Sequence, residues 1–165
     1  MGIERPLAVV DIDGVVADVR HRLHFIQSKP KDWNAFFAAA DADPPHLEGL
    51  ELVRQLAEVH EIVFLTGRPR RTERSTVQWL AQHGLGGHRV LMRPDSDRRP
   101  AAVLKRERLD ELAAGRSVGV VVDDDPIVIR ALAAAGYPTL EADWERRELD
   151  EERSLRAAQE QEGRT

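Results

Sequence analysis

The chain has no cysteine, few aromatic residues and no long hydrophobic run. Without cysteine among its 165 residues it has no disulfide, no thiolate metal site and no cysteine nucleophile. No apolar run approaches the ~20 residues of a membrane-spanning helix. The first hydrophobic run breaks at Asp11, too early for a secretory signal. These absences predict a globular, cytoplasmic protein of one domain without a membrane partner.

Two common functional motifs are also missing. The phosphate-binding loop G-x-x-x-x-G-K-[ST] does not occur, so we expect no kinase activity of that type from these residues. The histidines are dispersed and lack H-E-x-x-H spacing. We therefore predict surface or loop positions for all six, which are His21, His24, His46, His60, His83 and His88. Alternatively, His21, Arg22 and His24 line the mouth of a site formed just after the first strand.

Charge is distributed unevenly along the chain, whose net charge is −5. The segment from Arg68 to Arg108 holds eleven basic residues and four acidic ones, so the remainder is strongly acidic. A basic segment favours anionic partners such as phosphates or nucleic acid. Solvated, arginine-rich helix faces would give the same composition, and both interpretations remain open at this point.

Strand-like and helix-like patterns alternate along the chain. Short apolar runs predict five strands, at Leu7–Ile12, Ile62–Leu65, Arg89–Met92, Val118–Val122 and Tyr137–Leu140. Helical periodicity and glycine or proline signals predict helices over 47–57, 71–83, 101–114 and 126–135. This alternation predicts an α/β fold, a three-layer α/β sandwich with a central parallel sheet.

A long segment, residues 14–45, interrupts this alternation directly after the first strand. We predict that it forms a small cap insertion with one helix around residues 32–40. Its aromatic residues Trp33, Phe36 and Phe37 have helical spacing, which favours core positions over a lid above a site.

The chain ends in a segment, residues 143–165, that is almost entirely charged. Trp144, Leu149 and Leu155 are its few apolar residues, and we expect them to anchor a surface helix that frays into a tail. Residues 1–142 then form the main domain.

Chemically capable side chains gather at the predicted carboxyl ends of the strands, where ligands bind in open parallel sheets. They are Asp11 and Asp13 after the first strand, Thr66 and Gly67 after the second, Lys105 in the helix before the fourth, and Asp123 and Asp124 after the fourth. Each motif alone is also typical of turns or helix caps. The complete set, in this order and at strand ends, indicates a site.

The residue types suit phosphoryl chemistry. Asp11 offers a carboxylate nucleophile, and Asp13 can protonate a leaving oxygen and later deprotonate water. Crowded carboxylates call for a hard cation such as Mg²⁺. Thr66 and the Gly67 amide can hydrogen-bond phosphoryl oxygens, while Lys105 can neutralise their charge.

The motif Asp11-Ile12-Asp13-Gly14 resembles the first motif of the haloacid-dehalogenase (HAD) phosphohydrolase superfamily. Thr66-Gly67-Arg68, Lys105 and Asp123-Asp124 are similar to its second, third and fourth motifs. The resemblance implies a HAD-type sheet with a minimal cap, with Asp11 as nucleophile and Asp13 as acid/base. It also implies Mg²⁺ bound by the Asp11 carboxylate, the Asp13 main-chain carbonyl and Asp123, with Asp124 supporting.

A closer resemblance concerns the segment from Arg93 to Lys105. It is similar to the phosphatase domain of phage-type polynucleotide kinase-phosphatases, which implies substrate contacts from Arg68, Arg93 and Arg99. Alternatively, Arg93 and Arg99 pair with Asp95 and Asp97.

The sequence thus predicts a magnesium-dependent phosphomonoester hydrolase acting on a nucleic-acid 3′ end. The alternatives are a phosphatase for nucleotides or other small molecules, and a phosphate-binding or partner-binding module without turnover.

Overall fold

Strand β1 (Leu7–Val10) lies at the centre of a five-stranded sheet in the computed structural model, which describes residues 2–161. All neighbouring strands are parallel, in the order β3-β2-β1-β4-β5. The other strands are β2 (Glu61–Pro69), β3 (Arg89–Arg93), β4 (Val118–Asp123) and β5 (Thr139–Glu141). The central position of β1 brings the end of β2 to one side of Asp11 and the end of β4 to the other.

Helices cover both faces of the sheet because alternate residues of β1 are apolar on each face. Ala8 and Val10 belong to a buried cluster shared with α3 (Leu47–Leu56) and α4 (Glu73–Gln82). Leu7 and Val9 belong to a second cluster, shared with α5 (Ala101–Ala113) and α6 (Pro126–Ala134). The predicted three-layer α/β sandwich is confirmed.

Strand β2 is longer than the sequence predicts. Its pairing with β3 is regular up to Leu65, shifts, and resumes between Pro69 and Arg93. Thr66, Gly67 and Arg68 occupy this irregular stretch, so β2 carries them past the regular sheet to the edge where the site lies. Strand β5 also begins later than predicted, at Thr139.

The segment 14–45 folds into short helices, α1 (His24–Gln27) and α2 (Trp33–Ala38), and turns of 3-10 helix. Asp32 caps α2 by accepting a hydrogen bond from the Ala35 amide. Phe36 is 6% exposed, as a core position requires, whereas Trp33 is 45% exposed, so the core prediction is wrong for Trp33.

The last helix, α7 (Trp144–Gln161), contacts the rest of the fold through its N-terminal residues. Trp144 is buried, and its indole Nε1 donates to the Val15 carbonyl at 3.0 Å. Leu149 and Leu155 are exposed, so the prediction that they anchor the helix is wrong. Residues 162–165 of the predicted tail lie outside the described residues. Within residues 2–161 no helix has both the length and the apolar character needed to cross a membrane.

Candidate active site

Asp11 follows β1 directly, and its amide donates to the Val122 carbonyl of β4 at 2.9 Å. This hydrogen bond extends the sheet beyond β1 and fixes the backbone next to Asp123. The ammonium of Lys105, on α5, lies 3.2 Å from Asp11 Oδ1 and 2.6 Å from Asp123 Oδ2. All three side chains are buried, so α5 delivers a positive charge between two carboxylates at the carboxyl edge of the sheet.

Carboxylate oxygens of Asp11, Asp123 and Asp124 lie within 4.8 Å of one another. Burial raises the pKa of Asp11 well above its usual range. The charge of Lys105 opposes this shift, whereas repulsion from Asp123 and Asp124 adds to it. Burial and the charge of Asp123 likewise raise the pKa of Asp124 to about 7. One lysine therefore leaves this cluster with an excess of negative charge. An all-oxygen donor set with uncompensated charge fits a hard divalent cation such as Mg²⁺.

Gly14 makes room for Asp124. Its φ is +78°, a conformation that favours glycine, and a Cβ there would lie 2.0 Å from Asp124 Oδ2. The turn that begins the segment 14–45 therefore packs its backbone directly against the acidic cluster.

Asp13 lies against a buried group of charges formed by Arg22, Arg68 and Asp43. Arg68 Nη2 and Arg22 Nη2 donate to Asp13 Oδ1 at 2.6 and 3.0 Å. Both guanidinium groups also donate to Asp43 Oδ2, at 3.2 and 2.7 Å respectively. Burial opposes ionisation of Asp13, but the charges and hydrogen bonds of Arg68 and Arg22 prevail and lower its pKa. The Asp13 side chain is 26% exposed, so this charged group is open to the cleft.

Thr66 and Gly67 directly precede Arg68, in the stretch where the pairing of β2 with β3 is irregular. The Thr66 hydroxyl is buried and accepts a hydrogen bond from the Arg68 amide at 3.1 Å. The Gly67 carbonyl accepts a hydrogen bond from Arg93 Nε at 3.1 Å. The site residues expected from the four motifs therefore meet at one edge of the sheet.

The three arginines expected to contact substrate have protein partners. Arg68 is buried against Asp13 and Asp43. Arg93 Nη1 donates to the carbonyls of Arg99 at 2.6 Å and Asp97 at 3.3 Å, which ties the loop after β3 to β2. Arg99 pairs with Asp97 at 2.8 Å, as the alternative interpretation held, and with Glu107 at 2.5 Å.

The sequence interpretation missed two features of the site. Arg22, predicted at most to line the mouth of the site, is fully buried between Asp13 and Asp43. Asp43 is marked by no local motif in the sequence. His46 lies in a loop, as predicted, but not at the surface, because its ring is buried with Nε2 2.7 Å from Glu145 Oε1.

Comparisons with known proteins agree with this fold. A family-wide profile of the polynucleotide kinase PNKP phosphatase domain matches residues 6–144. A chain from the structure of the Pnkp1/Rnl/Hen1 RNA repair complex superposes with a TM-score of 0.67 at 19% identity, over 85% of this chain and 44% of that one. A second structure of that complex gives a TM-score of 0.69 at 21% identity, over 86% of this chain and 47% of that one. The chain thus spans less than half the length of these two matches.

A hydrolase of the haloacid dehalogenase-like family from Streptococcus pneumoniae superposes with a TM-score of 0.57 at 11% identity, over 83% of this chain and 84% of that one. At these identities the structures establish the fold alone. No curated protein matches the chain. The family match covers most of the chain and includes every residue of the acidic cluster. The chain belongs to the family of polynucleotide kinase PNKP phosphatase domains, within the HAD superfamily.

Proposed function

We propose that the protein is a Mg²⁺-dependent phosphatase that removes 3′-phosphates from nucleic-acid ends through a phosphoaspartate on Asp11. The observation that carries this proposal is the contact of Asp11 with Lys105 inside a cluster of three carboxylates. A buried carboxylate held beside an ammonium is positioned to attack an electrophile that brings its own negative charge. Family membership supports phosphatase chemistry and the choice of a polynucleotide substrate.

In the first step, Asp11 Oδ forms a bond to phosphorus while the bond from phosphorus to the 3′ oxygen breaks. Asp13 gives its proton to that oxygen. Arg22 and Arg68 keep Asp13 ionised in the free protein. The negative charge of an entering phosphate raises the pKa of Asp13, which favours its protonation before transfer.

In the second step, Asp13 accepts a proton from water, whose oxygen bonds to phosphorus as the bond to Asp11 breaks. Inorganic phosphate leaves and both aspartates are regenerated. Thr66 and the Gly67 amide hold phosphoryl oxygens, and Lys105 balances the charge on Asp11. Asp11, the Asp13 carbonyl, Asp123 and Asp124 would hold Mg²⁺, which when bound shields the phosphate's charge from the nucleophile.

The proposal includes a division of the chain. Residues 1–142 form the phosphatase domain, residues 14–45 within it act as a small cap, and residues 143–165 are an appended segment that contains α7. The cap supplies Arg22 and Asp43 beneath Asp13, which supports its assignment to the catalytic unit.

A substrate panel with Mg²⁺ tests the proposal. Phosphate release is measured from 3′-phosphorylated oligonucleotides, 5′-phosphorylated oligonucleotides and mononucleotides. We expect preference for the 3′-phosphorylated oligonucleotide, whereas equal rates on all three would favour a general nucleotidase. Asp11→Asn should abolish turnover, and Asp41→Asn, an exposed position in the same segment as Asp43, is the matched control.

Trapping the intermediate tests the mechanism separately. A brief reaction quenched in acid should leave a phosphate on Asp11 that mass spectrometry detects and hydroxylamine removes. If the folded protein binds phosphate but neither turns over nor becomes labelled, the non-catalytic binding module is the better description.

A further inference from the structure

An open groove of about 500 Å³ begins at Gly67 and runs between the cap and the loop after β3. Its volume falls within the range of small-molecule binding sites. On the cap side its wall is formed by Trp33, Asn34 and Phe37 of α2. The opposite wall is basic and consists of Arg71, Arg93, Arg98 and Arg99, with Asp95 and Asp97 among them.

Trp33 is the feature of this groove that packing does not explain. It is 45% exposed, although its neighbour Phe36 fills the core beneath the cap. The Trp33 ring stacks on Phe37 with centroids 5.9 Å apart and planes 25° apart, and meets the edge of Phe36 at 5.6 Å. Two aromatic neighbours thus hold an indole ring that nevertheless remains open to solvent at the groove. A fixed, exposed aromatic ring is the usual platform for a nucleobase.

The basic wall contains one arginine that the fold does not use. Arg93 ties the loop to β2, Arg99 pairs with Asp97 and Glu107, and Arg71 lies 5.6 Å from the Phe37 ring. Arg98 is exposed and has no hydrogen bond or ion pair with any other residue in the range 2–161. An unpaired guanidinium in a groove is available to a backbone phosphate.

We infer that this groove binds the terminal nucleotide of an unpaired nucleic-acid strand, with its base stacked on Trp33 and the preceding phosphate contacted by Arg98. The inference rests on the proposed function, because the phosphate to be removed must then lie at Asp11. A base stacked on Trp33 has left the stack of a duplex, which costs free energy. The groove therefore selects single-stranded 3′ ends over blunt duplex ends.

The stacking contact is tested by changing both the terminal base of the substrate and Trp33 of the protein. The substrates are a 3′-phosphorylated single strand with a normal terminal base and the same strand with an abasic terminal nucleotide. The proteins are wild type, Trp33→Ala and Trp33→Phe. Because base–aromatic stacking contributes roughly tenfold to hundredfold in affinity, removing the base should lower wild-type kcat/KM by about that factor.

Trp33→Ala should cause a similar loss on the normal strand and little further loss on the abasic strand, because either change removes the same contact. Trp33→Phe should recover most of the loss. Additive losses from Trp33→Ala and the abasic nucleotide would overturn the stacking role. The wild-type comparison of the two strands tests the inference even if Trp33→Ala does not fold.

The phosphate contact of Arg98 and the preference for unpaired ends are tested by the salt dependence of binding and by a duplex substrate. Arg98→Ala should weaken oligonucleotide binding and reduce its salt dependence by about one phosphate contact. Arg74→Ala, which changes an exposed arginine outside the groove, is the matched control and should alter neither oligonucleotide binding nor its salt dependence. A blunt duplex with a 3′-phosphate should react more slowly than the single strand, and a faster duplex reaction would overturn the preference for unpaired ends.

The failures of the two proposals are distinguishable. If wild type hydrolyses mononucleotides but neither oligonucleotide, the proposed function fails and this inference with it. If wild type hydrolyses the normal and abasic strands at equal kcat/KM, only the groove assignment fails.

Discussion

Arg22 Nη2 lies 3.0 Å from Asp13 Oδ1, although the Arg22 side chain is completely shielded from solvent. The proposed cap, residues 14–45, therefore reaches the edge of the sheet where Asp13 lies and contacts the partly exposed Asp13 carboxylate from its buried side. Asp43, on the same insertion, balances the charge of Arg22 at 2.7 Å. The cap and the proposed acid/base thus form one electrostatic unit.

Removing Arg22 should move the pKa of Asp13 upward. Burial already opposes ionisation of Asp13, and Arg22 is one of the two guanidinium groups that lower its pKa. In Arg22→Gln the limb of the pH–kcat/KM profile that Asp13 controls should shift to higher pH, and Arg22→Lys should restore much of the shift. Arg20→Gln is the control, because Arg20 pairs with Asp18 and Glu148 instead. An unchanged pH–kcat/KM profile in Arg22→Gln would show that Arg22 does not lower the pKa of Asp13.

Asp43→Ala should strongly destabilise the fold. It leaves Arg22 and Arg68, both buried, without the more deeply buried of the two carboxylates that they share. Breaking a buried ion pair in this way costs about 3–5 kcal/mol. Urea denaturation measures the loss. Asp41→Ala, at an exposed position two residues before Asp43, should stay within about 0.5 kcal/mol of wild type, and equal effects of the two substitutions would contradict the network.

Gly14→Ala should reduce activity through Asp124. The new Cβ would lie 2.0 Å from Asp124 Oδ2, so the carboxylate must move. Gly84 is a matched control, since its φ is +77° but nothing lies within 4 Å of a Cβ built there. Both substitutions should cost about 1–2 kcal/mol in stability, because both place alanine in a left-handed conformation. Only Gly14→Ala should also lose tenfold or more in kcat, and a similar loss in Gly84→Ala would remove the link to Asp124.

Asp124→Asn should stabilise the metal-free protein at high pH. The pKa of Asp124 is about 7 in the folded protein and ~4 in an unfolded chain, so the folded state binds its proton more tightly between these values. Its contribution to stability is therefore present at low pH and is lost as pH rises through 7. We expect Asp124→Asn to gain roughly 1–3 kcal/mol, a few degrees in Tm, at pH 8 with EDTA.

The same variant should differ little from wild type at pH 4, where Asp124 is protonated. Added Mg²⁺ should raise the Tm of wild type at pH 8 more than that of Asp124→Asn. A Tm gain that is the same at both pH values would show that the substitution acts through packing and not through charge.

The sequence predicted the parts of the site that depend on strand order. Asp11, Thr66 and Asp123 each stand at or near the end of an apolar run, and parallel pairing brings such ends together. It did not predict Asp43, whose role depends on the path of an irregular insertion with no periodic pattern. The pairing of Arg99 with Glu107 was equally inaccessible, because Glu107 approaches it only once α5 packs beside the loop.

The burial of His46 and the exposure of Trp33 also depend on tertiary contacts that the sequence does not reveal. His46 is buried because the start of α7 brings Glu145 to it, a contact between residues far apart in the chain. Trp33 has the spacing of a core residue, but a helix as short as α2 has room for only one fully buried aromatic, and Phe36 occupies that position.

The order β3-β2-β1-β4-β5 also determines when the protein can become active during synthesis. Asp11 is synthesised before β4, and its strand acquires its second neighbour only when β4 has been made. Lys105 and Asp123 arrive with that part of the chain. A partly synthesised chain therefore carries the proposed nucleophile but neither its charge partner nor its neighbouring carboxylate. On the proposed mechanism, phosphate hydrolysis requires that β4 has first joined the sheet beside β1.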